Sequence, residues 1–261
     1  MPRGLTRSTA GTTGLVPRFC GSMAGGGGGR AGAAGRQEER ERKELRPREA
    51  FPPPDDDLAP NRPGETLRAR LETSGAGRAG LALARLLRRH PVEDAWRRAL
   101  EAEQRVGAAL EELAVGGWEV LHSIVLPGDA VISHLLIGPG GVFGVAARAC
   151  RGGRVQVGET LVRSPRERQP RPYVREARQD AERSSRVLSR GCGFPVRVRP
   201  VLVLVGAGGL EVAPALDDVR VLGEGELAGL TGPAAPGTDL PPHRADRVHT
   251  VARNRRVWLW A

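Results

Sequence analysis

Aromatic residues make up only 3% of the 261 residues, so any core must be built from Val, Leu, Ile and Ala. Lysine is almost absent: Lys43 is the single one. The three cysteines, Cys20, Cys150 and Cys192, form no CxxC pair and no paired spacing, which argues against a disulfide framework or a structural zinc site and fits a reducing, cytoplasmic setting. No apolar run reaches membrane-spanning length; the longest candidate, Val196 to Val205, is broken by Arg197, Arg199 and Pro200. Arg3, Arg7 and Arg18 are followed by no apolar run of the kind a signal peptide needs. Gly138-Pro-Gly-Gly lacks the Lys-Ser/Thr of a phosphate loop. No Gly-x-Ser-x-Gly elbow, Cys–His arrangement or internal repeat is visible.

Present in quantity are Gly, Pro and Arg. The formal net charge is +10, almost all of it from Arg, a bias that GC-rich coding also produces. The charge is uneven: residues 91–150 carry −4 and residues 151–200 carry +8. Such a basic block attracts phosphates by counterion release, while a solvated helix face is the structural alternative.

Residues 1–61 read as a disordered extension, with a five-Gly run at Gly25–Gly29 and Pro52-Pro-Pro-Asp-Asp-Asp57. Met23 is an alternative start. Residues 62–93 read as a linker with a short helix that stops at Pro91. From Asp94, the positions Trp96, Ala99, Leu100, Glu103, Val106, Leu110 and Leu113 recur at helical spacing. Gly116-Gly117 closes that helix, and Trp118–Val125 reads as a strand. A helix from Pro172 has one face of Val174, Ala177, Ala181, Ser184, Ser185, Val187 and Leu188. Its many Arg residues are spaced for ion pairs with Glu176, Asp180 and Glu182 on the same helix. Pro200–Val205 reads as a central strand covered on both faces, Gly206–Gly209 as its exit loop, Arg220–Leu222 as a strand and Glu224–Leu230 as a short helix. Residues 232–261 read as a Pro/Gly-rich linker, reaching to about 245, and a C-terminal segment whose Trp258 and Trp260 dock on the domain.

The central stretch is the most specific. His134-Leu-Leu-Ile-Gly-Pro-Gly-Gly-Val-Phe143 places two apolar runs around a tight turn, a buried hairpin, and Gly152-Gly153 turns the chain into a further short strand, Arg154–Val157. This run resembles the central motif of the nuclease-related domain family, NERD, a branch of the restriction-endonuclease-like superfamily. The resemblance extends over about Trp96–Leu230 and implies an α/β fold over 94–231, a restriction-endonuclease-like mixed β-sheet flanked by helices.

The resemblance also implies a site. Family members carry an Asp where this chain has Ser133. They carry an acid, one residue and a Lys where it has Ala146, Ala147 and Arg148. Two carboxylates would hold a divalent metal and the Lys would activate water. A methyl group offers no ligand to a hard cation, and Arg does not deprotonate. The catalytic positions Glu103, Ser133, Ala146 and Arg148 thus read as a degenerate site with no metal and no cofactor. Glu103 is the one surviving acid, or an ordinary helix-surface Glu. His134 matches the family His, either contacting phosphate or hydrogen bonded in the core; His122 has no partner at ligand spacing. Glu176 stands where many members have Gln.

The first functional expectation is an inactive nuclease-related protein that binds DNA or RNA, or a protein partner. Its binding residues would be His134, Arg151, Arg154, Arg163, Arg166 and Arg168. The second is an active magnesium-dependent nuclease using Glu103 with Asp129 or Glu119. The third is a structural or regulatory protein without nucleic-acid binding.

Overall fold

A computed structural model describes residues 52–74, 91–128, 130–231 and 240–261. The readings made for residues 1–51, 75–90, Asp129 and 232–239 lie outside the described residues.

The elements follow the expected order. Helix α1 is Glu65–Ser74 and α2 is Pro91–Glu112. Pro91 lies inside α2, where its fixed φ suits a first helical turn and its missing N–H leaves no bond unmade. After a 3-10 turn, Gly117 takes the left-handed conformation at φ 80° and reverses the chain into β1, Glu119–Val125. Strands β2, Val131–Gly138, and β3, Gly141–Ala149, are the hairpin around Pro139-Gly140. Strands β4, Arg154–Val157, and β5, Val162–Arg163, precede the long helix α3, Tyr173–Cys192. Strands β6, Val198–Val205, β7, Gly209–Val212, and β8, Arg220–Gly223, lead into a 3-10 helix at Glu224–Thr231. Helices α4, Pro242–Arg253, and α5, Arg255–Trp258, complete the described chain.

A five-stranded sheet runs β1-β2-β3-β6-β8, antiparallel from β1 to β3 and parallel from β3 to β8. It is the expected mixed sheet flanked by helices. Helix α2 covers one face through Ala102, Val106 and Leu110 against Leu136, Phe143, Val145, Val201 and Val203. Helices α3, α4 and α5 cover the other, with Leu188, Val248, Ala252 and Trp258 against Leu121, Leu135 and Ile137. β6 is buried on both faces, which explains its nearly unbroken apolar run. No helix among the described residues is long and apolar enough to cross a membrane.

Several expectations change. The short strand β4 forms a separate three-stranded sheet with β5 and β7, and β7 begins at Gly209, within the expected exit loop. Pro242 starts a helix inside the expected linker, because a proline at the first turn nucleates rather than breaks it. Residues 52–61 are not a free extension: Leu58 is 2% exposed in the core, and Asp57 is held by Arg253 through two hydrogen bonds of 2.5 and 3.0 Å. The expected ion pairs within α3 give way to pairs between elements, Arg178 with Asp218 and Glu176 with Arg148. The two C-terminal tryptophans part company. Trp258 is fully buried and donates its indole N–H to the Ala252 carbonyl at 2.8 Å, whereas Trp260 is 78% exposed.

Candidate functional site

The β2–β3 ladder ends at the pair His134–Val145. Beyond it, β2 continues along β1 to Val131, while β3 continues along β6 to Ala149. The two strands diverge, and a sheet that splits this way opens a fork at its edge. Ser133 comes to the fork from β2 and Arg148 from β3. Glu103 reaches it from α2, and its carboxylate accepts a 2.7 Å hydrogen bond from the Ser133 hydroxyl. Arg148 donates to the Ala147 carbonyl at 2.9 Å, lies 3.5 Å from Ser133 Oγ and from Glu176 Oε2, and sits 5.5 Å from the centre of the Tyr173 ring.

The electrostatics follow from burial. Glu103 is 8% exposed, and desolvation pushes its carboxyl above the usual range, against the opposing pull of Ser133 and Arg148. Burial likewise raises Asp180 of α3, which also feels the Arg148 charge. The Arg148 charge thus opposes the effect of burial on both carboxyls.

Over the fork lies a cleft of about 1030 Å³. One wall is α1 and α2, with Thr66, Leu67 and Arg70 from the first and Asp94, Arg98, Ala99 and Glu103 from the second. The other is the segment after β5, with Arg166, Arg168 and Arg171, joined by Arg151. Among the described residues, seven arginines line the cleft against three acids, Asp94, Glu103 and Glu167, an excess that favours an anionic ligand. Glu167 is already paired with Arg171 at 3.2 Å. Among the described residues, Arg98, Arg151, Arg166 and Arg168 make no ion pair.

The α1 wall is fixed by an unusual backbone position. Ser123 of β1 has φ 50°, rare outside glycine. Its hydroxyl donates to the Arg62 carbonyl and accepts from the Glu65 amide, while Asn61 donates to the carbonyls of His122 and Ser123. Gly107 completes the docking: a Cβ there would fall 2.3 Å from Pro63.

Behind the fork is a buried histidine pair. His122 Nδ1 and His134 Nδ1 are 2.8 Å apart, and His122 Nε2 is 3.2 Å from the Glu111 carboxylate. The carboxylate can only accept, so His122 donates to it from Nε2 and accepts at Nδ1. His134 then donates from Nδ1, which leaves its buried Nε2 as a bare acceptor with no partner among the described residues. Burial lowers both pKa values, most strongly for His134, which also feels His122 and Arg148.

These positions sort the expected residues. Glu103, Ser133 and Arg148 do converge. Ala146 does not line the cleft; it is packed with Val155, Val174 and Leu202 beneath α3, and its neighbour Ala147 lines the cleft instead. Arg151, Arg166 and Arg168 share the cleft. Arg154 does not line it, and Arg163 borders a separate groove beside β4 and β7. His134, expected as a phosphate contact or a core residue, is 0% exposed and hydrogen bonded to His122, away from the cleft lining. His122 does have a partner, across the β1–β2 ladder. Glu119 lies beside His249 of α4 at 3.8 Å and is not among the cleft residues. Arg70, Arg98 and Tyr173 were missed. A signal existed for Arg98, since Asp94, Ala95, Arg98, Ala99 and Glu103 share one helical face. None existed for Arg70, whose helix meets the cleft only through docking.

Residues 98–205, from within α2 to the last residue of β6, match the family model described as Nuclease-related domain, NERD. It is the family that the hairpin motif resembles. No curated protein and no solved structure matches the chain.

Proposed function

We propose that this chain binds nucleic acid by its phosphates in the cleft over the fork and does not hydrolyse it with a bound divalent metal. The observation that carries the reading is Arg148, a guanidinium placed between Ser133 and Glu176 at the fork of a nuclease-related fold. A magnesium-type ion needs several oxygen ligands in near-octahedral array. Among the described residues at the fork, Glu103 is buried and already bonded to Ser133, Glu176 is paired with Arg148, and Ala147 presents only a methyl group. Among the described residues no three acid, His or Cys side chains converge as a metal would require. The residues do not fit the metal that the family resemblance implies.

The same feature supports anion binding. Arg forks match phosphate oxygens and keep their charge at any working pH. Arg148 stands at the bottom of the cleft, with Arg98 on one side and Arg151, Arg166 and Arg168 on the other. Phosphate contacts of this kind give affinity that falls steeply with salt and carries little sequence preference.

The test pairs calorimetric titration of magnesium and manganese with a plasmid-nicking assay and a mobility shift at two salt concentrations. Expected are no metal binding at the fork, no nicking, and a shift that weakens as salt rises. Nicking that tracks added metal and is lost in Glu103→Ala overturns the inactive half of the reading. Absence of any shift at low salt overturns the binding half and leaves a protein partner or a structural role.

A further inference from the structure

We infer that the cleft takes a single strand of nucleic acid, with a base against Tyr173 and phosphates on the arginines of both walls. The inference rests on the reading just given and narrows its ligand.

Three observations select a single strand over a duplex. The cleft is walled on two sides, and its volume of about 1030 Å³ is at the upper end of a small-ligand site. That space holds a few nucleotides of one strand and not the body of a double helix. Its cations also lie at different depths. Arg151, Arg166 and Arg168 are exposed, whereas the Arg148 side chain is only 22% exposed. Paired strands keep their bases inside a stiff stack, and taking one out costs a few kcal/mol; an unpaired strand enters without that cost. The third is Tyr173, at the start of α3. It is the single tyrosine of the chain and, among the described residues, the single aromatic one lining the cleft. A basic groove with an aromatic face is the arrangement that holds single strands with little sequence preference. The Arg148 guanidinium lies over that ring, 5.5 Å from its centre, and couples the aromatic wall to the buried cation.

The test is fluorescence anisotropy of a labelled oligonucleotide of about twelve nucleotides, within the usual site sizes, as a single strand and as a blunt duplex. The full chain is used at several salt concentrations. Expected is tighter binding of the single strand. Tyr173→Leu weakens it roughly 10-fold while leaving the salt slope unchanged, and Tyr173→Phe, which keeps the ring, binds as wild type. Arg98→Ala combined with Arg166→Ala lowers the salt slope by about 1.4, since each single-strand phosphate contact contributes about 0.7. Thermal melting of each variant separates a lost contact from a lost fold. Duplex binding as tight as the single strand, insensitive to Tyr173→Leu, overturns this inference and leaves the broader reading standing. Failure to bind either form removes both. Polyglutamate bound as tightly as the oligonucleotide at matched charge also overturns the inference, in favour of an acidic protein partner.

Discussion

Ser133 donates its hydroxyl proton to the buried carboxylate of Glu103 at 2.7 Å, from the strand position where the resembled family carries an acid of its own. The bond ties the β2 strand to α2 at the fork. Burial still raises the Glu103 pKa above its ordinary value near 4.5. A group whose pKa is raised on folding stabilises below its unfolded pKa, and that contribution is lost as pH rises through the folded pKa. Glu103→Gln keeps an acceptor for Ser133 and removes the ionisation. The variant is expected to gain melting temperature over wild type at pH 7.5 relative to pH 4. A difference that shrinks over that range contradicts the assignment.

The histidine pair acts with the opposite sign. His122 and His134 have pKa values lowered from the ordinary 6.5 by burial. The stability they confer is present above about 6.5 and is lost as pH falls through their folded values. Wild type is expected to lose melting temperature between pH 7 and pH 5, and His134→Leu to lose less over the same interval. Equal slopes for the two proteins would show that the pair does not titrate on unfolding.

Rebuilding the family site is expected to fail for a packing reason. Ala146 is 6% exposed among Val155, Val174 and Leu202, so Ala146→Glu forces a carboxylate into an apolar cluster. A cost of about 2 kcal/mol or more is expected. Ser133→Asp, Ala146→Glu and Arg148→Lys combined should therefore unfold at lower denaturant than wild type and show no magnesium-dependent nicking. Cleavage by a fully folded triple variant would contradict this.

The docked segment 52–74 should behave as part of the domain. Limited proteolysis of the full chain is expected to leave Leu58 within the resistant core. Gly107→Ala drives a methyl group into Pro63 and should make that segment cleavable. Mass spectrometry of the fragments reads the boundary directly; a wild-type core starting beyond Arg62 would refute the docking.

The two C-terminal tryptophans should differ sharply under mutation. Trp258→Ala empties a fully buried site and strands the Ala252 carbonyl, for a loss of about 3–5 kcal/mol. Trp260→Ala is expected to stay within about 0.5 kcal/mol of wild type. Urea unfolding of both variants measures the contrast.

The sequence by itself determined the elements whose signals are local. Gly138-Pro139-Gly140-Gly141 forces a reversal wherever it stands, so the hairpin was legible. The helical spacing of Val106 and Leu110, and of Val174, Ala177 and Ala181, declared which faces are buried. The expectation of missing acids at Ser133 and Ala146 rested on the motif alone. Tertiary structure decided everything that depends on distant segments meeting. Asp57 finds Arg253 across nearly 200 residues, and no local pattern announces that pair. The parting of β2 from β3 follows from each strand's second neighbour, β1 and β6, and that parting turns Ser133, Arg148 and Glu103 into one site. The fate of His134 was decided the same way. Its residue type allowed a ligand contact, but its pairing with His122 and the cover of α2 put it out of solvent reach. Residue types and short-range periodicity fix local geometry, whereas burial and long-range pairing are properties of the assembled chain.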